Sequence, residues 1–420
     1  MNLILFISGG VGVLLIAVVF LLILPVRLVR GVALSFAFFL LTFGGNITAP
    51  GPVWQGCLVA SIALLGLALM RSRAPVAGGK RFALIAAWWG YVGLGALLGG
   101  SYSVLTMILY FGLATLAAYV ASSLDDVEVR MLYTAIVLTA VFQVVVGLLE
   151  LTVFAEPVWG FRGGARENPF LTDNNRVQGT LGHPIPYSLL QGVAFVVAWS
   201  NPARWRQWWR LIALTSVTVG LIIGGTRSII LAVAGAVLVH VATNGKLASW
   251  ARLLFVLLAG GVLLVNIDVG IVRIIEELLV SGSWSHRLGA FDSVPNLLAR
   301  PPLEAWFGTG FGSELLLYDR GYMQQTYLRV VDDMFVYALG TMGIAGLVAL
   351  VAMCITAFVL SGRTGKALLV LMVGMFFSFD LFVWMYTGIM FSIIVTLPKS
   401  DPPVAGLKAP EKALATLSSA

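Results

Sequence analysis

The feature that most restricts this chain is a succession of apolar stretches on the scale of the about 20 residues that cross a bilayer as a helix. They fall at approximately 31–48, 54–70, 82–100, 102–122, 131–155, 184–200, 211–225, 228–243, 253–272, 333–360 and 367–397. Met1 to Leu24 is a further one. It is longer than a signal-peptide core, has no basic residue before it and no cleavage site before Arg27, and so reads as a retained span. The last stretch is too long for one crossing; it contains Asp380 and Gly388 and predicts two short membrane segments. The expected fold is all-α: a single polytopic membrane domain over 1–420, with about 12–13 transmembrane helices and a flexible tail at 398–420. A composition 59% apolar and 11% charged agrees, and excludes a soluble enzyme, a disordered scaffold or a disulfide-stapled secreted domain. Cys57 and Cys354 both fall inside apolar segments and read as packing residues.

The net charge of +7 is a matter of topology. Arg27/Arg30, Arg71/Arg73/Lys80/Arg81, Arg204/Arg206/Arg210, Lys246/Arg252 and Arg363/Lys366 lie on alternate links, which the positive-inside rule assigns to the cytoplasm. The Trp-rich run Arg204–Arg210 then reads as an interfacial belt, and no nucleic-acid partner is expected. The opposite links are short except for 156–183 and 273–332, whose charges are balanced. A loop of such length within a compact domain is usually functional. The second carries helix-like stretches around 271–280 and 287–300, and its Trp284, Phe291, Trp306 and Phe311 suit the outer membrane interface.

Three arginines stand out. Arg176 lies in Asn175-Arg176-Val-Gln-Gly-Thr-Leu-Gly-His183-Pro184, just before a span. Arg227 follows Gly224-Gly225-Thr226 between two apolar runs with almost no loop to spare. An arginine at mid-bilayer costs about 2.5–3.5 kcal/mol on insertion scales, so Arg227 either reaches headgroups or lines a cavity. Arg287 follows Trp284-Ser-His286 in the long loop and is either a surface charge or part of a site. Converging guanidinium groups suit a phosphate or diphosphate, because the planar fork matches phosphate oxygens. With three histidines, no Asp-x-Asp triplet and no zinc spacing, no metal site is expected.

Asp332-Asp333 stand where the 333–360 span begins, either as a helix cap or as a general base. Gly340, Gly343 and Gly346 after them predict close helix packing. His183 is either a hydrogen-bonded loop residue or an acceptor-site group, His286 is a weaker base candidate, and Asp380 is an ionisable group within a membrane segment.

The order of these features resembles the O-antigen ligase and polymerase family, including Wzy-type polysaccharide polymerases. Arg176-Val-Gln-Gly-Thr-Leu-Gly-His-Pro is similar to the family's Arg-x-x-Gly-Thr-Phe-Gly-x-Pro, and Gly225-Thr-Arg227-Ser to its Ser-Arg step. Arg287-Leu opens the large loop, and Pro302-Leu followed by Gly308-x-Gly310-x-Gly312 resembles the Pro-Leu-x-Gly-x-Gly pattern with an insertion. The resemblance covers roughly 130 to 360. Ligases of the family usually carry His-Asn, or His with Ser or Gln, nine residues before a glycine; here Asp332-Asp333 hold that register before Gly343. The departure favours a polymerase over a ligase with a histidine base.

The resemblance implies a glycosyltransferase of the bacterial cytoplasmic (inner) membrane, acting at its periplasmic face without cofactor. Its donor is an undecaprenyl-diphosphate-linked oligosaccharide and its acceptor a growing glycan; membrane lipids and a chain-length regulator protein are further partners. Arg176, Arg227 and Arg287 are expected to hold the diphosphate, Asp332 or Asp333 to act on the acceptor hydroxyl, and His183 and His286 to contact substrate. The competing readings are a ligase that transfers glycan to lipid A core or protein, and a secondary transporter or lipid flippase.

Overall fold

The computed structural model describes residues 18–19, 21–45, 48–72, 79–100, 104–154, 156–160, 167–243, 282–324 and 329–399, with backbone alone for 172–173 and 282–286. Almost all of the first expected span, the 253–272 stretch, the start of the long loop and the C-terminal tail lie outside the described residues.

The chain is helical. We number the helices α1 (Val29–Gly44), α2 (Gly51–Arg71), α3 (Lys80–Gly99), α4 (Val104–Ser122, with π-helical turns at Ile108–Gly112) and α5 (Asp126–Leu149, continuing as a π turn to Phe154). Then come α6 (Pro184–Ser200), α7 (Gln207–Gly224) and α8 (Arg227–Ala242). Short helices α9 (Gly282–Asp292), α10 (Val294–Leu298), α11 (Pro302–Phe307) and α12 (Glu314–Asp319) precede α13 (Met334–Leu360), α14 (Arg363–Phe376) and α15 (Met385–Thr396). Among the described residues seven spans, Val26–Gly44 (α1 with the 3-10 turn before it), α2–α5, α7 and α13, are long and apolar enough to cross a membrane, against the twelve or thirteen expected. The difference arises partly because α6, α8, α14 and α15 are shorter than a full crossing, and partly because two stretches lie outside the described residues. The all-α expectation needs one correction: β1 (Glu167–Asn168) pairs antiparallel with β2 (Leu171–Asn175) within the 156–183 segment.

Two helices are enclosed on all sides. Every residue of α15 is buried, as are fourteen of the seventeen in α6. A helix that is apolar all round is buried on all sides: α6 packs among α5, α7, α8 and α14, and α15 among α3, α4 and α14.

Ionic groups pin the end of the bundle that carries the basic links. Asp125 and Glu128 form a capping box at the start of α5. Glu128, fully buried, also accepts from Gly31 N and from Arg30 Nη2 at 3.0 Å each. Arg81 reaches Ser361, joining the start of α3 to the end of α13. All the candidate site residues with described side chains lie at the opposite end, at the starts of α6, α8 and α13 or in the segments beside them. Cys57 is buried and Cys354 half-buried, and both are free thiols, as packing residues would be.

Helix α13 departs from regularity. Its 27 residues would run about 40 Å, more than the about 30 Å of a bilayer core, while the 14 of α14 reach only about 21 Å. Yet Phe335 near the start of α13 packs on Phe376 and Phe377 at the end of α14. The break at Gly343 (φ 70, ψ −171) allows the first turns of α13 to lean across. Gly340, Gly343 and Gly346 are expected to let another helix approach closely. A side chain at Gly343 would meet the backbone of Trp306 at 2.4 Å, so the close approach there is by the short helix α11.

Candidate functional site at one end of the bundle

The Arg176–Pro184 segment is a strap held by polar groups buried between helices. Gln143 of α5 accepts from Thr180 N and donates to its hydroxyl, and Glu150 accepts from Gln178 N and from Gly179 N at 2.8 Å. Gly179 (φ 58) and Gly182 (φ 75) turn the strap, and a Cβ at Gly179 would strike Gln143 Oε1 at 2.5 Å. The glycines of this motif therefore serve the backbone.

Arg176 closes the end of α7. Its Nε donates to Gly224 O at 3.2 Å and its Nη2 to Thr226 Oγ1 at 2.7 Å. Asn168 takes the carbonyls of Ile222 and Ile223, and Val177 N also donates to Ile223 O. The four last carbonyls of a helix have no partners within it, and this strap supplies several. Gly225 in the left-handed region ends α7, and α8 begins two residues later with Arg227. Arg176, on the strap, is thus tied to the turn that presents Arg227, and both are half-buried.

His183 caps α6, its Nδ1 accepting from Ile185 N at 3.2 Å. The hydrogen-bonded reading of this residue is the one observed. Its ring also lies 5.4 Å from that of Trp384, in the link between α14 and α15. Thr226 Oγ1 bonds Pro184 O, and Tyr386 OH donates to Pro186 O, so the strap, the α7–α8 turn and the α14–α15 link form one unit.

The second group gathers at the start of α13. Asp333 is fully buried and caps the helix, with Oδ1 accepting from Phe335 N at 2.8 Å and Val336 N at 2.9 Å. Burial pushes its carboxyl up to about 6, against the pull of those two N–H groups and of Arg287. Burial also lowers the Arg287 guanidinium from its ordinary value, while Asp332 and Asp333 hold it up. It remains a cation at neutral pH. Arg287 Nε and Asp333 Oδ2 are both buried without a hydrogen-bond partner among the described residues. Asp332 is half-buried, leaving it the more accessible of the two carboxylates.

Two acids join them. Asp380 lies within electrostatic range of Asp332 and Glu314, and all three act on Tyr318, whose phenol is pushed up to about 12 by burial and by these carboxylates. Asp380 accepts a hydrogen bond from the Trp384 side chain. Contacts and electrostatic range therefore lead from Arg176 through Thr226, Pro184, His183, Trp384, Asp380 and Asp332 to Arg287. Arg176 and Arg227 sit at one end of this sequence and Arg287 at the other. The His286 side chain lies outside the described residues. Among the described residues no group of His, Cys, Asp and Glu could hold a metal ion.

The Pro302–Gly312 segment supports the site from beside it. Arg300 donates to Leu339 O and Gly340 O, Gly310 N to Thr341 O, and Tyr91 OH to Met342 O. These carbonyls precede the break in α13 and need donors from outside the helix. Phe311, expected at the interface, is instead fully buried against Phe111 and Tyr337, because Gly310 lets the loop approach the backbone of Gly95 and Gly99. Leu303, Trp306 and Phe307 on α11 are 76%, 55% and 59% exposed, the pattern of an interfacial helix.

Sequence reasoning missed Glu150, Glu314, Arg300 and Trp384. Glu150 lay in plain view as a carboxylate within an apolar run; the others carry no local signal. No protein-family model matches this chain, and no curated protein matches it either.

Proposed function

We propose that this protein is a polysaccharide polymerase that joins oligosaccharide units carried on a polyprenyl diphosphate, at the extracytoplasmic face of a membrane. The observation that carries the reading is the arrangement of carboxylates and half-buried cations at the end of the bundle away from the basic links. Arg176 bonds the turn that presents Arg227, and Arg287 faces Asp332 and Asp333.

In this mechanism an acceptor hydroxyl oxygen attacks the anomeric carbon of the donor. The bond from that carbon to the diphosphate oxygen breaks, and its electron pair leaves with the diphosphate. Arg227 and Arg287 stabilise the charge that develops, while Arg176 holds the turn that presents Arg227. The hydroxyl proton passes to Asp332, the carboxylate not committed to capping α13. Direct displacement inverts the anomeric carbon.

A second reading has an observation of its own. The half-length α14 and α15, with Asp380 between them, and the break at Gly343 are discontinuous helices of the kind that build transporter sites. Purified protein given a lipid-linked oligosaccharide separates the readings. A ladder of product lengths supports the polymerase, a single transfer to a foreign acceptor means a ligase, and movement across a vesicle without new bonds means a transporter or flippase.

A further inference from the structure

Trp384 occupies an unusual position. It caps the start of α15, where its carbonyl accepts from Thr387 N and Oγ1 and from Gly388 N, so its backbone is fixed. Its indole N–H is committed to Asp380, a residue 8% exposed. The His183 ring lies against it at an interplanar angle of 42°. Its neighbours Phe382, Met385 and Tyr386 are buried, whereas Trp384 is only half-buried. A large aromatic surface is thereby held in one orientation and left partly open, and the Asp380 that holds it lies within electrostatic range of Asp332 and Glu314.

This combination selects a ligand class. An aromatic ring is negative over its face, and the C–H bonds on one side of a pyranose form a weakly positive apolar surface that matches it. Hydroxyl groups at the sugar's rim donate to carboxylates. An anionic ligand is repelled by these acids, and an apolar chain would strip them of water without giving anything in return. A cationic amine suits both the ring and the acids, but Arg287 beside Asp332 and Asp333 offsets that charge.

We infer that Trp384 is a sugar-stacking platform that positions a pyranose ring beside Asp332, with Asp380 and His183 fixing the orientation of the indole. The inference rests on the proposed glycosyl transfer and adds the subsite in which a sugar is read.

The test is 19F NMR on the full chain labelled with 5-fluorotryptophan, in a detergent that carries no sugar. The Trp384 signal is identified by its loss in Trp384→Phe. The probes are the methyl pyranosides of glucose, galactose, mannose and rhamnose, with mannitol as an acyclic polyol and choline chloride as a cation. At least one pyranoside is expected to move the Trp384 signal saturably, and mannitol is not. In the transfer assay, Trp384→Ala is expected to raise the acceptor KM about tenfold, more than it lowers kcat, with Trp384→Phe restoring part of the loss, in line with the worth of a lost aromatic contact. A signal that responds to no pyranoside, or to choline alone, overturns the platform even where a product ladder forms. A pyranoside response without any ladder supports the platform and rejects the polymerase.

Discussion

The guanidinium of Arg176 donates to the hydroxyl of Thr226 across 2.7 Å, fifty residues away in sequence, and so ties the strap before α6 to the turn that presents Arg227. The two arginines therefore differ in kind. Arg176→Lys leaves the Gly224 carbonyl without its donor, which costs about 1–3 kcal/mol for a buried group, and should lower both the unfolding midpoint and turnover. Arg227→Lys should lose most turnover, since a point charge cannot replace the planar fork. Thermal unfolding and polymerisation measured on the same preparations check this, and full turnover in Arg227→Lys would reduce that residue to a headgroup anchor.

Asp332 and Asp333 should separate on substitution by asparagine. Asparagine caps a helix nearly as well as aspartate but takes no proton. Asp332→Asn is expected to lose about 100-fold or more in turnover, the usual contribution of a positioned base. Asp333→Asn should keep the greater part, because its Oδ1 is engaged by Phe335 N and Val336 N. Equal losses in both variants would make Asp333 part of the chemistry.

Asp333 also gives the stability of the fold a pH dependence. Its folded value of about 6 stands above the ordinary 3.8, so the native state holds the proton more tightly than the unfolded chain. The stabilisation is complete below about 4 and is lost as pH rises through about 6. Unfolding midpoints of the wild type should fall across that window relative to Asp333→Asn, which has no proton to release there. Parallel curves for the two proteins would show that burial does not perturb this carboxyl.

The break in α13 should be intolerant of change on both sides. Gly343→Ala places a Cβ against the Trp306 carbonyl in a left-handed conformation, and Arg300→Met leaves Leu339 O and Gly340 O without donors. Each should cost on the order of 2 kcal/mol or more, seen as a lower midpoint or loss of folded protein after extraction. A stable Arg300→Met would mean that the carbonyls find water instead.

Turnover should survive chelation. Arginines can neutralise a departing diphosphate without a divalent ion. Measuring product ladders with EDTA, and again after adding magnesium or manganese, checks this; complete loss restored by either ion rejects the arginine mechanism.

What the sequence determined by itself was the class of fold and the positions of most helices. Hydropathy acts over twenty-residue windows and does not depend on neighbours, so α1–α5, α7 and α13 and the division of 367–397 into two short segments were all legible in it. The strap Arg176–Pro184 and the pair Asp332-Asp333 could also be singled out, since charged and glycine-rich residues at the mouths of apolar runs are conspicuous. Only the tertiary structure decided what each one does. Whether Asp333 or Asp332 caps α13 depends on which carboxylate meets the first N–H groups of the helix. That Arg176 spends two donors on the end of α7 depends on a turn fifty residues on. Trp384 and Glu314 carry no pattern in the sequence that sets them apart from other residues in this chain. Their segments meet around Asp380, which bonds Trp384 and lies within electrostatic range of Glu314 and Asp332, and contacts between segments so far apart leave no periodicity along the chain to read.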